Sequence, residues 1–343
     1  MSELKNNLKC KIAIDAMGGD FAPNNEILGS FQAMNEDPDV EVFLVGKKEE
    51  ILKAIEINGL KFNHDQIIDA EQVVDMYDSP TAVLKTKSDS SLVKGAKLVK
   101  DGLAHAFVST GNTGAVLAAA TFIIGRIEGV SRPTIGAAMP TQTGGTCSVY
   151  DVGASVDSKS KHLFEYAVLG SIFAREIHQI KNPKVGLLSV GEEESKGNEV
   201  TLGTYKLLKE SELNFIGNVE GRDILKGTAD VVVCDGFIGN IILKFAESII
   251  GFLKAKTKSF ADKSLVNKLK VLSMKGTLKK VLKDLDYQNY GGVPLLGVNG
   301  ICIIGHGSSS PLAIKNMILR AKEMYDKNLI QTFKDTLKSY ADK

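Results

Sequence analysis

Residues 104–126 read AHAFVSTGNTGAVLAAATFIIGR. The opening AHAFVS is a short apolar run of strand character, and the closing AVLAAATFII is small and apolar, like a buried helix. The Gly-rich turn between them makes the unit strand, loop, helix. The same unit recurs along the chain. Runs at Lys11–Asp15, Val40–Gly46, Thr134–Pro140, Cys147–Val152, Lys184–Val190, Ala229–Asp235 and Gly300–Gly305 predict strands. Several are apolar throughout, as strands covered by helices on both faces are. Helices are predicted at Asn24–Asn35, Ser91–Lys100, Gly114–Arg126, Lys161–Ile177, Glu199–Lys209, Asn240–Lys258 and Pro311–Met324. This alternation predicts an α/β fold with a doubly wound, mostly parallel sheet. Gly144-Gly145 predicts an antiparallel hairpin within Thr134–Val152. With no repeat, low-complexity tract or linker, residues 1–343 read as one α/β domain.

Composition removes several classes. The 42 basic and 41 acidic residues leave a net charge of +1, so no nucleic-acid partner is expected. Cys10, Cys147, Cys234 and Cys302 form no C-x-x-C pair and read as reduced, structural thiols of a cytoplasmic protein. The N-terminus lacks a secretory h-region, and no run is read as reaching the roughly 20 apolar residues of a membrane span. The five histidines are scattered, so no metal is expected. Neither a P-loop nor G-x-G-x-x-G occurs, and no cofactor is expected. No G-x-S-x-G elbow supports a serine hydrolase.

In such a sheet, ligands bind beyond the carboxyl ends of the strands. Thr110, Gly111, Asn112, Thr113 and Gly114 form a turn that opens a helix, where unpaired N–H groups and the helix dipole suit a phosphate. An ordinary N-cap with turn glycines gives the same pattern. Asp15, Gly18, Gly19 and Asp20 follow the first strand, and the glycines permit close backbone approach. Arg132 suits bidentate phosphate binding or a plain surface position. Asp151, Asp157 and Lys159 follow strand CSVYDV, and Lys159 is a candidate for stabilising charge on a reacting oxygen. Glu193, Lys196 and Asn198 lead into a helix, Asn218 and Arg222 sit in a later loop, and Asp235 with Asn240 ends a very apolar strand. His306, inside GHGSSS, is the best-placed proton carrier among the histidines.

One segment differs. Residues 240–286 read as a basic amphipathic helical hairpin; from Ile249 to Asp286 it carries ten lysines against three aspartates. Phe252, Leu265, Leu269 and Leu272 with Lys268 and Lys270 suit an anionic membrane or an acidic partner, and a dimer-packing arm explains them equally.

Taken in order, IAIDAMGGDFAPNNEILG (12–29), STGNTGA (109–115), SRPTIGAAMPT (131–141), DVGASVDSKSKHL (151–163), GLLSVGEEESKGNE (186–199), FIGNVEGRDIL (215–225), ADVVVCDGFIGN (229–240) and YGGVPLLGVNGICIIGHGSSSPLAIKNMI (290–318) cover nearly the whole chain. This ordered set resembles the phosphate acyltransferase family of bacterial phospholipid synthesis, commonly called PlsX. Ser155, Ser158, Ser160 and Lys161 stand where the family usually has Asn, Cys, Pro and Glu, which removes any catalytic cysteine at Ser158. The resemblance implies a Rossmann-like three-layer α/β/α fold akin to phosphotransacetylases and isocitrate-type dehydrogenases, in a homodimer. It implies acyl transfer from acyl carrier protein to inorganic phosphate. The acyl phosphate would feed a membrane glycerol-3-phosphate acyltransferase, with the enzyme peripherally associated with the membrane. Under that reading Thr110–Gly114 and Arg132 hold phosphate, Lys159 or His306 meets the oxyanion or leaving sulfur, and Asp15 and Asp235 orient donors.

Overall fold

The computed structural model describes residues 9–281 and 291–341. Residues 282–286 of the expected hairpin lie outside the described residues. The described strands are β1 Cys10–Asp15, β2 Val40–Gly46, β3 Ile67–Asp69, β4 Ala106–Ser109, β5 Thr134–Pro140, β6 Thr146–Tyr150, β7 Val185–Leu188, β8 Phe215–Val219, β9 Val231–Val233, β10 Val293–Leu296 and β11 Ile301–Ile304. They form one sheet in the order β3-β2-β1-β4-β11-β10-β5-β6-β9-β7-β8. The helices are α1 Asn24–Glu36, α2 Lys48–Ile57, α3 Val83–Thr86, α4 Ser91–Lys100, α5 Thr113–Ala119, α6 Ser160–Glu176, α7 Glu199–Lys209, α8 Gly221–Lys226, α9 Gly236–Ala261, α10 Leu265–Val281, α11 Pro311–Asp326 and α12 Leu329–Ala341.

Alternate residues of the apolar strands enter separate cores on the two faces. Ile12, Ile14, Leu44, Val108 and Ile303 pack with Tyr166, Ile314 and Phe333 on one face. Ala13, Val45, Phe107, Cys302 and Ile304 pack with Val93, Ala115 and Val116 on the other. This double burial is the reason the strands read as unbroken apolar runs. Each fully buried Ile or Leu contributes about 1.5–3 kcal/mol relative to exposure. All four cysteines are free and buried, and burial pushes the Cys10 thiol up to about 12, so it is no nucleophile at neutral pH.

Strand direction decides where the loops go. β1, β2, β3, β4 and β11 are mutually parallel. β10 runs antiparallel to both β11 and β5, and β5 antiparallel to β6, which is the expected hairpin. β6, β9, β7 and β8 are parallel to one another. Two reversals at β10 leave β5 parallel to β4, and the third reverses β6 and its neighbours. The carboxyl ends of β1, β4 and β11 therefore leave one edge of the sheet, and those of β6, β7, β8 and β9 leave the opposite edge.

α9 is longer than expected, starting at Gly236 rather than Asn240. By length and composition it is apolar enough to cross a membrane, which corrects the expectation that no segment is. Its lysines cluster after Leu253, so the apolar stretch before them escapes a reading that treats the hairpin as uniformly basic. Its first turn is tied to the domain: Asp235 caps it by accepting from the Ile238 N–H at 2.9 Å.

Candidate active site

At the edge where β1, β4 and β11 end, four buried polar side chains interlock. Asp15 closes β1, and its Oδ2 accepts from Ser109 Oγ at 2.7 Å. Its Oδ1 accepts from the Met17 N–H at 3.3 Å. Burial raises the Asp15 pKa, against the lowering effect of its hydrogen bonds from Ser91, Ser109 and Met17. Beside it, Thr110 Oγ1 donates to Glu26 Oε1 at 2.9 Å. Glu26 stands in the first turn of α1, is 2% exposed, and its Oε2 has no hydrogen-bond partner. Burial pushes its pKa up to about 7, opposed by the Thr110 hydrogen bond and supported by the charges of Asp15 and Asp20.

Two glycines make this packing possible. A Cβ on Gly18 would lie 2.7 Å from Asp15 Oδ2 and 2.8 Å from the Gly111 nitrogen. One on Gly19 would lie 2.3 Å from Glu26 Oε1 and 2.9 Å from Thr110 Oγ1. The β1 loop thus lies directly on the β4 turn. The Asp20 N–H donates to the Gly307 carbonyl at 2.8 Å, which brings in the loop after β11. His306, on that loop, is exposed, and its Nδ1 accepts from the Ser308 N–H at 3.2 Å.

Asn112 departs from its expected role. Its Oδ1 caps α5 by accepting from the Ala115 N–H at 3.0 Å. Its Nδ2 donates to the carbonyls of Asp75 and Met76 at 3.1 Å and of Asp78 at 3.3 Å. The amide is consumed in strapping the 75–78 loop across the turn, so it does not offer a free donor to an anion. Lys87 pins the same loop through Asp78 at 2.5 Å and Asp75 at 3.1 Å. Thr113 and Gly114 are the first residues of α5, and Thr113 is exposed.

The other predicted residues gather at the opposite edge. Arg132 precedes β5 and donates from Nη1 to Ser155 Oγ at 2.7 Å and to the Asp157 carbonyl. Asp151, fully buried, accepts from the N–H groups of Gly153, Ala154 and Ser155 at 3.1, 2.9 and 2.8 Å, and of Ile135 at 3.3 Å. Burial still holds its pKa up at about 6, against those hydrogen bonds. Lys159 is the exposed N-cap position of α6, its N–H donating to His162 Nδ1 at 3.1 Å. Asn218 Nδ2 donates to the Glu193 carbonyl at 2.8 Å. The Lys196 N–H donates to that same carbonyl at 3.0 Å. Asn198 caps α7, Arg222 pairs with Glu220 at 2.8 Å, and Asn240 lies against Gly153.

These contacts correct the pairing of Arg132 with the Thr110–Gly114 turn. Within one chain, Arg132 stands where β5 begins and the turn where β4 ends, and the two strands are parallel, so they occupy opposite edges. Lys159 and His306 are separated in the same way. On the hairpin, Phe252, Leu265, Leu269 and Leu272 are exposed, as are Lys268 and Lys270. Sequence reading missed Glu26, because a glutamate at N3 of a helix is indistinguishable from a solvated capping residue. Only the fold shows that Gly19 and Thr110 close over it.

Comparison with known proteins agrees with this architecture. A family model described as "Fatty acid synthesis protein" matches residues 10–332. A phosphate acyltransferase of Desulfitobacterium hafniense (strain DSM 10664 / DCB-2) is 48% identical over 328 residues, covering 95% of this chain and 97% of that protein. One from Halothermothrix orenii is 45% identical over 331 residues, covering 95% and 98%. Among solved structures, a phosphotransacetylase from Streptococcus pyogenes superposes with a TM-score of 0.63 at 19% identity over 92% of this chain and 94% of that one, a likeness of fold. A model match over most of the length and relatives at this identity leave one assignment: the chain belongs to the phosphate acyltransferase family of fatty acid and phospholipid synthesis.

Proposed function

We propose that this chain transfers a fatty acyl group from the thioester of acyl carrier protein to inorganic phosphate, at the edge where β1, β4 and β11 end. The observation that carries the site is the buried Asp15–Ser109 and Glu26–Thr110 pairing under a turn that opens a helix. Carboxyls with raised pKa values in a tight loop cluster are a physical mark of a functional site. The chemistry asks little else. A phosphate oxygen attacks the thioester carbon to form the C–O bond and a tetrahedral oxyanion; its collapse breaks C–S, and the hydrogen phosphate proton ends on the departing thiolate. That thiol has a pKa of about 8–9 and leaves without a strong acid. The protein supplies proximity and donors for the tetrahedral oxyanion. In this reading phosphate sits at Thr110, Gly111, Thr113 and Gly114, Asp15 fixes Ser109, and His306 meets the oxyanion or the sulfur. Asn112 acts by holding the 75–78 loop. Arg132, Asp151 and Lys159 organise the loop after β6.

The reading extends to a cytoplasmic homodimer that rests on the membrane through α9 and α10 and passes acyl phosphate to a glycerol-3-phosphate acyltransferase. The deciding assay follows palmitoyl-acyl-carrier-protein with and without phosphate, beside acetyl-CoA. Phosphate-dependent loss of the long-chain thioester is expected. Preference for acetyl-CoA would favour a short-chain phosphotransacetylase, the reading that the fold likeness alone suggests.

A further inference from the structure

We propose that Glu26 is a positioning residue for the anion site: in its neutral form it donates from Oε1 to Thr110, and so turns the Thr110 hydroxyl into a donor toward the bound anion. The inference rests on the phosphate reading of the turn and names the group that regulates it.

A hydroxyl has one proton to give. While Glu26 is ionised, Thr110 gives that proton to Oε1 across 2.9 Å and can only accept from anything else. A phosphate, itself an acceptor, then finds no donor there. When Glu26 carries a proton on Oε1, the same contact reverses and the Thr110 proton is free for another acceptor.

The geometry favours the neutral form. Oε2 is buried without a hydrogen-bond partner, which is costly for a carboxylate oxygen and far less so for the uncharged carbonyl of an acid. The glycine at position 19 leaves the Oε1–Oγ1 contact unobstructed. The charged and titratable groups on the neighbouring loops are Asp15 and Asp20 before α1 and His306 before α11. On α11 itself, Lys315 is already held by Glu36 at 2.6 Å. Burial, with a smaller contribution from Asp15 and Asp20, places the Glu26 transition at about 7, and an incoming anion pushes it further toward the neutral form. Anion binding therefore takes up a proton.

The test uses sulfate, which does not titrate near neutrality, and calorimetry between pH 6 and pH 8 in buffers of differing ionisation heat. Wild-type Kd is expected to weaken about tenfold from pH 6 to pH 8, with proton uptake on binding. Glu26→Gln, whose amide donates to Thr110 as the neutral acid does, is expected to bind tightly with no pH dependence. Thr110→Val is expected to bind weakly at both pH values, while Thr110→Ser keeps the wild-type profile. A Glu26→Gln protein that retains the wild-type slope overturns the proposal, as does a slope that vanishes in His306→Gln instead. If neither sulfate nor phosphate binds wild type at any pH, the anion reading of the turn falls with it. Binding at pH 8 that Asn112→Ala weakens but Glu26→Gln leaves at the wild-type level sinks the Glu26 assignment alone.

Discussion

His178, two residues beyond α6, shows how one buried group sets a pH limit on the molecule. Its Nε2 lies 3.2 Å from Ser148 Oγ, and its ring meets Phe173 edge-on. Burial holds its pKa down from 6.5 to about 4, with Arg320 adding to the effect and Asp230 opposing it. Between pH 6.5 and about 4 the unfolded chain binds this proton while the folded chain does not. The stability it contributes is whole above 6.5 and is lost as pH falls toward 4, by about 3 kcal/mol in all. Urea unfolding at pH 7 and pH 4.5 should show that acid loss in wild type and much less of it in His178→Gln. Asp151→Asn is a second residue-scale test. The carboxylate accepts four N–H groups, and the amide puts a donor against one of them. A loss of about 1–3 kcal/mol in unfolding free energy is expected, and an unchanged urea midpoint would mean the loop after β6 holds itself. Neither Asp151 nor Asn112 showed its task in the sequence. A polar residue in a glycine loop looks the same whether it binds a ligand or fastens the backbone, and only partners distinguish the two.

Elements were more legible than residues wherever burial imposed a period. β2, α4 and α7 fall on their expected spans, because apolar runs or stripes bounded by turn residues fix both ends. β3, β8 and β10 were missed for local reasons. β3 has three residues. β8 contains Gly217 at a positive φ of 98°, with a register shift in its pairing with β7. β10 carries Pro294 behind two glycines, a pattern that argues against a strand inside a sheet. The hairpin is the element whose sequence and structure leave a common question, since α9 and α10 expose Phe245, Phe252, Leu265, Leu269 and Leu272 to solvent. On the membrane reading, Lys268→Glu with Lys270→Glu should abolish flotation with anionic vesicles while leaving the fold intact. Leu269→Asp with Leu272→Asp should abolish it on any vesicle, because the apolar contact itself is lost. Flotation of both variants at the wild-type level would assign this face to something other than lipid.

At the scale of the whole molecule, the central fact is that three antiparallel pairings in midsheet turn the second half over. A doubly wound sheet with all strands parallel would send every carboxyl end to one edge. The sequence announced the β5–β6 reversal through Gly144-Gly145, but the two made by β10 depend on a strand that did not look like one. Their consequence is that the two groups of loops lie apart within one chain. Asn112 and Arg132, both expected to touch phosphate, belong to different edges and different tasks. Asn112→Ala frees the 75–78 loop from the turn and should lower kcat/KM for phosphate by about 10²-fold, as a misplaced site does. Arg132→Ala removes the donors that join Ser155 to Asp157. It should lower the urea midpoint and leave phosphate kcat/KM near the wild-type value. The pair measured side by side tests the topology as much as the residues. If Arg132→Ala matches Asn112→Ala in phosphate kinetics without losing stability, the two edges serve one reaction centre, and the partner that brings them together must be a second copy of the chain or a large closure of this one.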